Sequence, residues 1–249
     1  MASLNGLFPC CLRPRREFSV RSWLGLLSLG ALLPLPTAFA APPPYLQEAL
    51  TKFIPAVPRD WAYTVKTEAA DRQTVERFDP AKPPAEQWSL LLTNGRAPTE
   101  EEQAKYFKFK AGQVPGPTEA NFQKGDIEPG SFRLLREDGR RAEYLCAFRE
   151  QAANSDKMLA HLSLRLTVAK QPAHVEKFAL ELRETYSPVL GVRMRELAVE
   201  MLFSPPEGNR PALPLRSSSH FAGRIFLIPL EENLRLTYSD FAPPPPARP

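Results

Sequence analysis

Leu162-Ser163-Leu164-Arg165-Leu166-Thr167-Val168 alternates apolar and polar residues without a break. Successive side chains of a strand point to opposite faces, so this run predicts a β-strand with one buried face and one wet face. The same period recurs downstream. Beyond a turn at Gln171-Pro172, Phe178, Leu180 and Leu182 alternate with Lys177, Glu181 and Arg183. The run from Val192 to Phe203 is longer and changes parity. Val192 and Met194 share one parity, while Leu197, Val199, Met201 and Phe203 share the other. A one-residue bulge near Arg195-Glu196 would return both sets to a single face and bend the strand.

Working outward, period two also marks Trp61, Tyr63 and Val65, then Thr74 to Phe78, then Gln87 to Leu92. The last of these ends at the turn signal Thr93-Asn94-Gly95. Ser131 to Arg136 and Arg140 to Glu150 read as a hairpin around Glu137-Asp138-Gly139. Phe221 to Ile228 and Leu234 to Tyr238 read as a final pair joined through Pro229 to Asn233. Helical period appears at Tyr45 to Ile54, where Leu46, Leu50 and Phe53 share a face and Pro55 stops the helix. Thr99 followed by Glu102 is a capping box, and Glu100 and Glu101 suit the positive end of a helix running to about Lys110. A further helical turn is expected near Glu119 to Lys124. The fold class is therefore mainly β (α+β), with about eight or nine strands, enough to curl an antiparallel meander into a half-barrel-like sheet. Two or three short helices would pack on or beside its concave face.

The first forty residues read differently. Arg13, Arg15, Arg16 and Arg21 precede an apolar run from Trp23 to Leu33, and Ala38-Phe39-Ala40 supplies the small residues a signal peptidase requires. This is an export signal cleaved before Ala41. Arg15-Arg16-Glu17-Phe18 also resembles the twin-arginine signature, so both the general secretory and the twin-arginine routes fit. The run is shorter than the roughly 17 to 25 apolar residues of a membrane helix, and no later stretch reaches that length. The expected organisation is a signal peptide over 1–40, a Pro-rich linker over 41–44, one globular domain over 45–241 and a disordered Pro-rich tail over 242–249. The expected location is periplasmic or secreted.

Cleavage changes the charge. Residues 1–40 carry four Arg and one Glu, so the net charge of +4 falls to +1. The pI near 9.0 belongs largely to the signal and is no argument for nucleic acid as a partner. Of the three cysteines, Cys10 and Cys11 leave with the signal and Cys146 stays. Neither an internal disulfide nor a Cys-based zinc site is then possible. Cys146 alternates with Tyr144 and Phe148 along an expected strand and reads as core.

Residues that carry chemistry are sparse. The three histidines are His161, His174 and His220, and none has a metal-ligand neighbour at helical spacing. They read as surface residues, with His174 in a turn and His220 in a loop after Ser217-Ser218-Ser219. Ser219-His220 places a nucleophile beside a base, but no Gly-x-Ser-x-Gly elbow accompanies it. No catalytic residue, metal site or cofactor is expected. Lys105-Tyr106-Phe107-Lys108-Phe109-Lys110 interleaves cations and aromatics; on a helix, Tyr106, Phe109 and the stem of Lys110 share a face flanked by Lys105 and Lys108, which either packs the helix down by its aromatics or forms a lid over the sheet. The remaining functional element is the apolar face itself, drawn from Trp61, Leu164, Leu180, Val199 and Met201. If the helices cover it only in part, the gap is a pocket suited to a lipid or an acylated partner. An envelope scaffold acting through the Pro-rich tail and exposed aromatics is the rival reading, and a hydrolase using Ser219 or His220 is a third.

In element order across Tyr45 to Tyr238, the chain resembles the periplasmic lipoprotein-carrier superfamily, a half-barrel with helices over its mouth. Arg77-Phe78-Asp79-Pro80, Trp88-Ser89-Leu90-Leu91 and Asn94-Gly95-Arg96-Ala97-Pro98-Thr99 are also similar to stretches of uncharacterised exported proteobacterial proteins. The superfamily resemblance implies non-covalent binding of a lipid or lipid-modified protein, without a cofactor. It transfers no individual site residue.

Overall fold

Ten strands form one antiparallel sheet in the computed structural model, which describes residues 42–58, 60–111 and 122–244. These residues belong to one compact unit, Phe39–Pro249. The signal peptide expected over 1–40 and the end of the Pro-rich tail lie outside the described residues.

The chain begins with helix α1 (Pro44–Lys52), then strands β1 (Ala62–Glu68), β2 (Gln73–Phe78) and β3 (Trp88–Thr93). Helix α2 (Glu100–Ala111) follows, then β4 (Arg133–Glu137), β5 (Arg141–Cys146) and helix α3 (Glu150–Ser155). The rest is β6 (Leu162–Lys170), β7 (Ala173–Leu182), β8 (Val192–Phe203), β9 (Pro214–Ile225) and β10 (Ile228–Ala242). Spatially the order is β3-β2-β1-β10-β9-β8-β7-β6-β5-β4. β4 to β10 run as a meander, β1 joins onto β10, and the sheet stays open with β3 and β4 at its edges. The Thr93-to-Arg133 connection therefore links opposite edges.

Register carries the face assignment across the sheet. Leu164 lies opposite Leu180, Leu180 opposite Val199, and Val199 opposite Ser219, which in turn faces Leu234. Directly opposed residues share a face. Phe178, Met201, Ser217 and Leu236 form the neighbouring row on that face. The expected β8 bulge is present: pairing shifts between Met194 and Glu196, which puts Met194 on the same face as Leu197.

Both long helices lie on this face. Leu46 and Ala49 of α1, and Phe53 just past its end, enter a core cluster with Leu164, Leu166, Phe178, Leu180 and Met201. Phe53 meets Phe178 and Phe203 edge-on, with centroids 6.3 and 5.6 Å apart, a geometry that aromatic rings favour. The N-terminal end of α1 is tied to the β4–β5 edge: the Tyr45 and Tyr144 hydroxyls lie 2.6 Å apart, and Tyr45 donates to Glu137 at 2.9 Å. A second cluster sits on β1, β2 and β10. Tyr63, Val65, Phe78 and Tyr238 are buried there, with Trp61 and Trp88 packed against them.

Several expectations need correction. Arg140 to Glu150 is not one strand: β5 ends at Cys146 and α3 starts at Glu150. Six residues span under two turns, too few for helical periodicity to show. Ser217 to His220 is strand, not loop, because Ser217, Ser218 and Ser219 pair on both sides with β8 and β10. The Pro229-to-Asn233 connection is also strand. β1 covers β10 only over its later residues, Arg235 to Ala242, so Pro229 lies where the side toward β1 makes no ladder, a position that tolerates proline. The tail starts later than position 242, since Ala242 still pairs with Ala62. Of the turn expected near Glu119, only the end is described, as a short 3₁₀ turn at Lys124–Asp126.

Candidate functional site

The apolar residues singled out from the sequence fall into two places. Leu164, Leu180 and Met201 are fully or nearly fully buried beneath α1, with Val199 half-buried at the margin of the same cluster. Trp61 packs in the other cluster, across the width of β8, β9 and β10. Between the clusters, on the same face, runs a seam of half-buried residues: Leu197, Val199, Phe221, Leu234 and Leu236. Ser217 and Ser219 lie within it by register.

Helix α2 meets the sheet through two of the three residues expected on its face, Tyr106 and Lys110, and not through Phe109. Phe109 is 62% exposed. Residues four apart on a helix lie closer to one line than residues three apart, and a carboxylate on the sheet selects the lysine. Glu76 of β2 accepts a hydrogen bond from the Tyr106 hydroxyl at 3.0 Å and pairs with Lys110 at 2.8 Å. Lys110 Nζ also stands 3.9 Å from the centroid of the Trp88 ring. The start of α2 carries the expected capping box: Thr99 N–H donates to Glu102 at 2.7 Å, and Glu102 N–H returns to Thr99 Oγ1 at 3.3 Å. Arg96 clamps the same carboxylate from two nitrogens, at 2.8 and 2.9 Å.

The histidines are dispersed. His220 is on β9, not in a loop, and faces away from the helices. Adjacent strand residues point to opposite faces, so Ser219 and His220 do not form a catalytic pair. His220 Nδ1 lies 2.9 Å from Asn233 Oδ1, and Nε2 lies 3.4 Å from Glu196. The Asn233 contact, with Glu196 behind it, holds the imidazole pKa above its ordinary value. His174 is buried in β7 instead of lying at the surface, and its Nδ1 donates to the Pro172 carbonyl at 2.7 Å. His161 stacks on Tyr186 with centroids 4.3 Å apart and contacts Glu184 at 3.1 Å. Cys146 is buried in the α1 cluster, and burial pushes its thiol up to about 12.

A groove of about 520 Å³ crosses the face opposite the helices. Its floor includes the small residues Ala179, Ala198 and Ser218, and its walls include Glu181, Glu200, His220 and Arg235. Both glutamates are occupied, Glu181 by Arg165 and Glu200 by Lys177 at 3.0 Å. Nothing in the alternation pointed to this groove, because polar-face residues read as plain solvated surface. Among the described residues, no group of three or more His, Cys, Asp or Glu is placed to hold a metal ion. No helix among them is long and apolar enough to cross a membrane.

No known protein family matches the chain, and no curated protein matches it. Among solved structures, an isomerase-inactive variant of GphF DH1 aligns at 12% identity over 81% of both chains, with a TM-score of 0.15. A GphF dehydratase variant made for improved crystallization aligns at 12% identity over 78% of this chain and 81% of that one, with a TM-score of 0.14. Likeness at this level carries neither fold nor chemistry to this protein.

Proposed function

We propose that the protein is an exported, non-enzymatic binding protein of the cell envelope that holds a lipid or an acylated protein partner on the apolar face of its sheet. The observation that supports this reading is the seam. Leu164, Leu180 and Met201 are packed under α1, yet the same cross-strand rows continue into Val199, Leu234 and Leu236, which are only half-buried. Half-buried aliphatic side chains between two packed clusters offer an elongated apolar contact, which suits an acyl chain better than a compact polar metabolite. The export reading rests on the Arg13-to-Ala40 pattern, with cleavage before Ala41.

Native mass spectrometry of the protein purified from its own cell envelope tests the proposal. The expected result is an adduct of lipid mass that organic extraction removes and that Leu234→Asp abolishes. A single adduct-free species in both proteins would sink it.

A further inference from the structure

The most exposed apolar side chains of the described residues are not on the seam. They sit on two loops that meet at one end of the sheet. Leu190 in the β7–β8 loop is 98% exposed and Leu227 in the β9–β10 turn is 91% exposed, with Val189, Phe226 and Ile228 exposed beside them. The two loops are held as one unit. Phe226 N–H donates to the Gly191 carbonyl at 2.5 Å, and the Phe226 ring lies so close over Gly191 that a Cβ there would approach it to 2.7 Å. At its base the β7–β8 loop is closed by paired hydrogen bonds between Tyr186 and Met194, of 3.0 and 2.8 Å.

This turn is built against ordinary turn chemistry. A two-residue hairpin turn favours Asn, Asp or Gly where φ is positive. Here Phe226 takes φ +53 within Ile225-Phe226-Leu227-Ile228, which contains no turn-forming residue. A bulky residue in the left-handed region is an outlier that folding alone does not ask for.

Charge supplies the second observation. Arg193 and Arg224 are direct cross-strand partners just behind the tip, and both are exposed. Like charges directly opposite destabilise a sheet, and among the described residues neither arginine has a salt bridge. Residues 185–195 and 222–230 together contain three Arg and no Asp or Glu, and the nearest carboxylates, Glu184, Glu196, Glu231 and Glu232, lie behind the Arg193–Arg224 pair on the side away from the tip. A projecting apolar tip backed by unpaired guanidinium groups matches the layering of an anionic bilayer, with acyl chains beyond phosphate groups.

We propose that the paired loops dock the protein on an anionic lipid membrane, with Leu190 and Leu227 entering the acyl boundary and Arg193 and Arg224 meeting lipid phosphates. This does not depend on the seam's binding a ligand. The test compares the full chain carrying Leu227→Trp on vesicles of phosphatidylcholine alone and of phosphatidylcholine with about one-third phosphatidylglycerol. The expected result is a blue-shifted emission from the introduced indole, quenched by bromine on the acyl chains, on the anionic vesicles only. Leu190→Asp in the same background should weaken binding by at least about tenfold, and Arg193→Gln with Arg224→Gln should remove the preference for phosphatidylglycerol. An indole that stays unshifted and unquenched overturns the proposal, even when the chain sediments with vesicles. So does equal binding to both vesicle types, or saturable binding to a purified envelope protein that Leu190→Asp abolishes while vesicle binding persists.

Discussion

Lys110 Nζ lies 2.8 Å from Glu76 Oε2, and the two side chains are only 19% and 13% exposed. The Tyr106 hydroxyl donates to the same carboxylate, so Glu76 takes two donors from one helix. This is the bolt between α2 and the sheet. Removing one partner of a buried pair leaves the other charge without compensation, whereas removing both does much less harm. Lys110→Met should therefore destabilise the protein by about 2 kcal/mol, and Glu76→Leu added to it should restore more than half. Urea titrations of the two single variants and the double variant read this directly. Additive losses would show that the pair contributes nothing beyond its separate side chains.

The start of α2 predicts a pH dependence. The Arg96 guanidinium, then the Thr99 N–H, hold the Glu102 carboxyl down to about 2. A depressed carboxylate stabilises the fold above its unfolded pKa, and that stabilisation is lost as pH falls through the folded value. The contribution should be complete above about pH 4.5 and disappear toward pH 2. Glu102→Gln should consequently lower amide protection in α2 at pH 6 and make little difference at pH 2. Hydrogen exchange at the two pH values distinguishes this from a helix that does not depend on its cap.

Much of the sheet was legible in Leu162 to Val168 and its repeats because strands with one wet face write their register into the sequence. The β8 bulge was legible for the same reason: a parity change in a continuous apolar run has few other solutions. The β1–β10 pairing was not, since nothing local distinguishes a strand's eventual neighbour. The first half of β9 was not legible, although its second half falls within Phe221 to Ile228, because Ser217 to His220 breaks the alternation where the strand runs along the seam. The apolar face reads in the sequence as one surface from Trp61 to Met201. The fold divides it, because α1 fills the β6–β8 half and aromatic packing around Tyr63 fills the other. The docking tip had no sequence signature of its own, as four consecutive apolar residues read as strand until the turn is seen.

His220 gives a pH effect of the opposite sign. Asn233, with Glu196 behind it, raises the imidazole pKa above its ordinary 6.5. A raised histidine stabilises the folded state fully below its unfolded pKa, and that contribution is lost as pH rises through the folded value. The thermal midpoint of His220→Gln should fall short of the parent's at pH 5.5 and approach it at pH 8.5. An equal gap at both pH values would mean that packing, not charge, is what the substitution removed.

Cys146 should be inert in the native protein. Its thiol sits in the α1 cluster and is pushed up to about 12 by burial, so almost none is thiolate at pH 8. In a chain carrying Cys10→Ser and Cys11→Ser, an aromatic disulfide reagent should label Cys146 at the rate of global opening. Adding 6 M guanidinium should release one thiol equivalent within seconds, about the behaviour of a freely exposed cysteine. Prompt labelling without denaturant would place the α1 cluster among the weakly held parts of the fold.

Leu164 and Leu234 share a face and belong to one cross-strand row, yet their burial differs. Leu164 is fully enclosed beneath α1, whereas Leu234 is half-buried on the seam. Truncating an enclosed leucine loses its transfer free energy and leaves a cavity, so Leu164→Ala should cost about 3 kcal/mol. Leu234→Ala removes partly wet surface with no sealed void, and should cost about 1 kcal/mol or less. If the row is core throughout, the two losses will be alike and neither variant will change what co-purifies with the protein. If the seam holds an acyl chain, Leu234→Ala will shed the lipid adduct while remaining folded, and Leu164→Ala will keep the adduct at a lower midpoint of unfolding. Denaturation curves measured beside native mass spectra of the same two preparations separate a residue that builds the face from one that uses it.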